Sequence, residues 1–69
     1  MMAEKKSLTA AKKEAQSLSL RNPGQVYWVL DKSRRLAVCH GSEWCVRERI
    51  LAGWHIVCKY RDGKCIKAL

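Results

Sequence analysis

The stretch Val26-Tyr27-Trp28-Val29-Leu30 restricts this chain more than any other. All five residues suit a pleated surface. Side chains alternate along a strand, so Val26, Trp28 and Leu30 share one face while Tyr27 and Val29 share the other. Neither set is polar. A second run, Trp54-His55-Ile56-Val57-Cys58-Lys59-Tyr60, is mixed in the same way. An antiparallel sheet with one wet face shows a clean apolar–polar alternation, so a sheet built from these runs needs cover on both sides. That cover comes from helices of the same chain or from a second molecule.

Each run leads into a turn and a return. Asp31-Lys32-Ser33-Arg34 reads as a turn, followed by a strand at Arg35-Leu36-Ala37-Val38-Cys39. Arg61-Asp62-Gly63-Lys64 is the strongest turn signal, because Asp-Gly suits a tight two-residue hairpin loop. Cys65-Ile66-Lys67-Ala68-Leu69 closes that hairpin. With Asp62-Gly63 as the loop, Tyr60 opposes Cys65 and Cys58 opposes Lys67. Unbroken alternation then puts Trp54, Ile56, Cys58, Tyr60, Cys65 and Leu69 on one face, and His55, Val57, Ile66 and Ala68 on the other.

Between the hairpins, Gly41 to Gly53 reads as a short helix. Ser42 can accept a hydrogen bond from a first-turn N–H, Glu43 places negative charge where the helix dipole favours it, and Gly53 supplies a left-handed stop. Trp44, Val46, Ile50 and Leu51 spread over nearly half of its circumference. Arg47 sits within that arc, its stem laid over the core and its charge sent to water, and Glu43 can pair with it four residues away. The start of the chain is weaker. Residues 1–6 read as frayed; Leu8, Ala11, Ala15 and Leu18 then form a narrow helical stripe that ends at Asn22-Pro23-Gly24. Two of its four members are alanine, so that helix must lean on something. The expected fold is α+β and one domain: a helical arm and turn over residues 1–24, then β-β-α-β-β over residues 25–69 with an antiparallel four-stranded sheet.

Sixty-nine residues bury a modest core, and chains of this size often add disulfides, a metal or a second copy. Cys39, Cys45, Cys58 and Cys65 lack the paired C-x-x-C spacing of a zinc knuckle, and His55 and Cys58 point to opposite faces of one strand. They read as buried thiols with no metal and no cofactor. Cys58 and Cys65, diagonal neighbours in the second hairpin, are the pair closest to forming a bond. No apolar export segment follows Met1, and the longest apolar stretch, Ile50 to Cys58, is interrupted and too short for a bilayer. These features read as a cytoplasmic protein without a membrane segment, whose cysteines stay reduced.

Catalytic constellations are sparse. Asp31 and Asp62 are turn residues and Glu43 and Glu48 lie on a helix, so no carboxylate pair is set for hydrolysis; phosphate-loop and dinucleotide fingerprints are missing too. Cys39-His40-Gly41-Ser42-Glu43 leads into a helix N-terminus that can attract an anion. However, Glu43 repels one, and nothing acidic orients His40 as a base. Capping is the better reading, and the chain does not read as an enzyme.

Charge points to a partner. Fourteen basic and six acidic residues give +8: five against two over residues 1–25, and nine against four over 26–69. Such an excess attracts polyanions. The candidate contacts are Arg34, Arg35, Lys59, Arg61, Lys64 and Arg47, with Tyr27 or Tyr60 available to stack on a base. If both turns lie at one end of the sheet, Arg34, Arg35, Arg61 and Lys64 make a single patch. The expected function is a non-enzymatic module that binds nucleic acid through its phosphates with little sequence preference. The alternative is a protein-interaction or homodimerisation module that works through an apolar sheet face.

Overall fold

The structure, a computed structural model, describes residues 3–5 and 7–68. Its elements are β1 (Ala3–Lys5), α1 (Leu8–Arg21), β2 (Val26–Lys32), β3 (Arg35–His40), α2 (Glu43–Leu51), β4 (His55–Arg61) and β5 (Lys64–Ala68). The α+β architecture is the expected one, a helix followed by β-β-α-β-β in an antiparallel sheet. To the four hairpin strands the chain adds a short fifth at the edge, in the order β1-β3-β2-β4-β5. Ala3–Lys5 was expected to fray and instead pairs antiparallel with β3, Ala3 opposite Val38 and Lys5 opposite Leu36.

Each sheet face carries its own core. On one side Tyr27, Val29, Val38 and Cys58 pack with Ala11 and Ala15 of α1. On the other, Trp28, Leu30, Ala37, Cys39 and Trp54 pack with Val46 of α2. The two-sided apolar pattern of β2 is thus satisfied within one chain. Val29 on one face and Trp28 and Leu30 on the other are buried beneath α1 and α2.

The two alanines explain how α1 sits so close. Both are fully buried, and their small side chains let the helix backbone approach the sheet. Ser7 caps the start, accepting from the Ala10 N–H at 3.1 Å; at the end the Asn22 amide donates to the Leu18 carbonyl at 3.0 Å. The buried stripe continues to Ser19 rather than back to Leu8, which is 39% exposed. The Ser19 hydroxyl donates to the Gln16 carbonyl at 2.8 Å and accepts the Gly63 N–H at 2.8 Å. Gln16 returns a bond from its side-chain amide to the Gly63 carbonyl at 3.0 Å, and Asp62 accepts from the Gly24 N–H at 3.0 Å. These contacts fasten the end of α1 to the β4–β5 turn.

That turn is the expected two-residue loop. Arg61 faces Lys64, and both Asp62 (φ 53°) and Gly63 (φ 79°) are left-handed, as a tight hairpin requires. The first hairpin is tighter than expected. Lys32 belongs to β2 and faces Arg35, leaving Ser33 (φ 50°) and Arg34 (φ 68°) as the loop. Two bulges break the expected alternation. One lies between the Val29–Cys58 and Leu30–Ile56 pairs, so Ile56 joins the α2 side while Cys58 faces α1. The other slips β5, so that Cys58 opposes Ala68 instead of Lys67, although Tyr60 still opposes Cys65.

Helix α2 ends as expected. Gly53 is left-handed at φ 101°, and its N–H reaches the Ile50 carbonyl at 3.1 Å. Its start differs. Ser42 occupies the cap position with extended backbone, yet its hydroxyl makes no capping bond. The apolar arc is also thinner than expected: Val46 is fully buried, while Trp44 and Leu51 are 76% and 79% exposed. The Glu43 side chain, and with it the expected pairing to Arg47, lies outside the described residues.

Candidate nucleic-acid interface

Strand register sorts the charges. Trp28, which lies on the α2 side, is opposite Lys59; Val26 is opposite Arg61; and Arg61 is opposite Lys64. Lys67 is opposite Lys59 in β5, and Lys32 is opposite Arg35 two positions beyond the Leu30–Ala37 pair. Cross-strand partners share a face. The described basic side chains of β2 to β5, those of Lys32, Arg35, Lys59, Arg61 and Lys64, therefore lie on the α2 side of the sheet. The α1 side receives Tyr27, Val29, Val38, Cys58 and Tyr60 from the same strands.

The crossover helix explains why part of this face is open. It joins β3 to β4 across β2, and its buried Val46 belongs to the core cluster of Trp28, Leu30, Ala37, Cys39 and Trp54. The β4–β5 side carries Lys59, Arg61 and Lys64, of which Arg61 and Lys64 are exposed. The Lys59 ammonium lies 4.8 Å from the centre of the buried Trp28 ring, a cation–π arrangement that fixes its position. Trp28 is in turn anchored through its indole N–H to the Gly41 carbonyl at 2.7 Å.

Arg34 and Arg35 do not join this group. Asp31 pairs with His55 at the start of β4, whereas Val26 pairs with Arg61 at its end. The Ser33–Arg34 turn and the Asp62–Gly63 turn therefore sit at opposite ends of the sheet, about 20 Å apart along seven-residue strands. The cause is α2, which carries the chain back along the sheet before β4 begins. The single patch of Arg34, Arg35, Arg61 and Lys64 is thereby corrected to two separated ends. At the far end the Arg35 guanidinium lies 5.8 Å from the Trp54 ring centre, and the Lys32 ammonium donates to the Ala52 carbonyl at 2.7 Å.

The expected aromatic platform is also corrected. Tyr27 is only 8% exposed, closed under α1, and its ring lies 5.1 Å from that of His40. Tyr60 is half-buried on the same side, facing away from the basic strip. Arg47 stands exposed on α2 with its guanidinium 5.9 Å from the Trp44 ring centre. Trp44, counted in the apolar arc of this helix, is 76% exposed. The clue to its exposure was the width of the apolar arc, too broad for a nine-residue helix to bury.

Cys39, Cys58 and Cys65 are all thiols, the first two buried and the third exposed, so Cys65 departs from the expected buried set. Burial pushes the Cys58 thiol above its ordinary range, with the neighbouring Cys65 adding to the effect. Tyr60 is raised as well, first by burial and then by Cys58. Such shifts make Cys58 a poor nucleophile at neutral pH. His40 meets the Gln25 side-chain oxygen at 2.6 Å, not an acidic residue. Among the described residues no cluster of His, Cys, Asp and Glu is arranged to hold a metal, and no helix is long and apolar enough to cross a membrane.

No family model, curated protein or solved structure matches this chain.

Proposed function

We propose that the protein is a non-enzymatic, cytoplasmic module that binds nucleic acid along its phosphate backbone through Lys59, Arg61 and Lys64. The observation that carries this reading is the shared α2-side placement of Lys59, Arg61 and Lys64 on neighbouring strands. Three neighbouring cations on paired strands can follow successive phosphates, and backbone contacts of this kind carry little sequence information. The sheet offers no open aromatic on this side, since Trp28 is buried beneath Lys59. Affinity therefore rests on charge.

The test is a fluorescence-anisotropy titration of labelled DNA and RNA across a salt series. Three neutralised phosphates on a duplex give a log–log salt slope of about −2.7, or roughly 40-fold weaker binding from 50 to 200 mM salt. Replacing Lys59, Arg61 and Lys64 together by Gln should flatten that dependence and abolish binding at low salt. Replacing Lys13 and Arg21, exposed on α1 across the sheet, should leave most of the affinity intact. Equal losses from both sets, or no binding by the wild type at low salt, would remove the proposal.

A further inference from the structure

The basic strip leaves one conspicuous surface unexplained, the outer side of α2. Trp44 and Leu51 project from it at 76% and 79% exposure, on the side of the helix away from the buried Val46. Arg47 and Glu48 share this outer surface with them. A helix turns 100° per residue, so Trp44 and Leu51 form a crest, with Arg47 about 50° to one side and Glu48 about 50° to the other. An exposed Trp beside an Arg pairs two of the residue types that most often anchor interfaces. Glu48 makes the crest a poor seat for a polyanion.

We infer that this crest is a self-association surface, on which a second copy of the chain packs with its α2 parallel to the first. The charges select both partner and direction. A twofold axis along the helices exchanges the two flanks, bringing Arg47 against Glu48 of the partner subunit on both sides of the seam. The two tryptophans then meet at one end and the two leucines at the other. A twofold axis across the helices keeps each flank on its own side, setting arginine against arginine and glutamate against glutamate. Only the parallel arrangement is self-complementary. Its geometry uses none of the three cations of the β4–β5 strip, so it stands independently of nucleic-acid binding. One nine-residue helix covers less than the roughly 800 Å² per partner of a standard interface, so the dimer is weak, with a dissociation constant on the order of 10–100 µM.

The experiment is sedimentation equilibrium of nuclease-treated full chain from about 1 µM to about 1 mM, which brackets that range. Tryptophan emission is followed alongside. Trp28 and Trp54 are buried, so Trp44 dominates the quenchable signal and should be shielded from acrylamide as dimer forms. Trp44→Ala should abolish association, while Arg47→Glu and Glu48→Arg should each weaken it by about tenfold or more. The double variant R47E/E48R should recover it, because the swap restores opposite charges across the seam. Equimolar mixing of the two single variants should also give a heterodimer. Circular dichroism confirms that each variant keeps its fold. A wild type that stays monomeric at 1 mM, association untouched by Trp44→Ala, or charge swaps that fail to recover would each overturn the inference.

Discussion

Replacing Val46 by alanine tests how the crossover helix is held. Val46 is 0% accessible and belongs to a cluster with Trp28, Leu30, Ala37, Cys39 and Trp54. Its neighbours on α2 give little support, since Ile50 is 43% and Leu51 79% exposed. Val46→Ala removes two methyl-sized groups worth about 0.8 kcal/mol each and leaves a small cavity, for a total loss of about 2–3 kcal/mol. A domain of this length has roughly 3–10 kcal/mol of stability, so the change consumes a large share. Thermal denaturation followed by circular dichroism should show a midpoint roughly 10–20 °C lower. Leu51→Ala, measured below the concentration at which chains associate, should move stability by less than about 0.5 kcal/mol. A Val46→Ala midpoint within about 3 °C of the wild type would refute the reasoning, because α2 would then be held by something other than this side chain.

Ser19→Ala removes the acceptor for the Gly63 N–H and should cost about 1–2 kcal/mol, with faster amide exchange at Gly63 as the direct readout. Replacing Ser33-Arg34 by Asn-Gly relieves two residues held at positive φ and should stabilise by about 1 kcal/mol, raising the urea midpoint at unchanged slope. Cys58 and Tyr60 have pKa values raised on folding, Cys58 by burial first and then by Cys65, Tyr60 by burial and then by Cys58. Their protonated forms are therefore favoured in the folded state. That stability is fully present below their unfolded values and is lost as pH rises through the folded ones, so urea midpoints should fall above about pH 9 and hold steady below about pH 8. Among the described cysteines, alkylation at neutral pH should mark the exposed Cys65 well before the buried Cys39 and Cys58.

Local chemistry was the part most legible from sequence. Asp62-Gly63 announced its loop because Gly is the residue most tolerant of left-handed backbone, and Gly53 announced the end of α2 for the same reason. Ser33-Arg34 adopts the same kind of loop without that signature, and strand pairing there overrides residue preference. The faces of Val26 to Leu30 followed from simple alternation. Those of β4 and β5 did not, because each bulge adds a residue whose presence depends on the partner strand. The most consequential difference concerned the turns. A helix that returns along the sheet forces the two hairpins to opposite ends, and that split Arg34 and Arg35 from Arg61 and Lys64. Tyr27 offered no warning of its burial, since its face could be assigned but the helix that covers it could not. That helix packs through Ala11 and Ala15, whose small size reads as weakness in a sequence and acts as close fit in the fold.

The binding of polyanions along the basic strip of β4 and β5 is the centre of this account, and a nitrogen-15 correlation spectrum recorded during titration with a short oligonucleotide tests it most directly. Amide shifts should move at Lys59, Arg61 and Lys64 at low salt and return as salt is added. Shifts confined to the α1 side, around Lys12 and Lys13, or an unchanged spectrum at saturating oligonucleotide would contradict it.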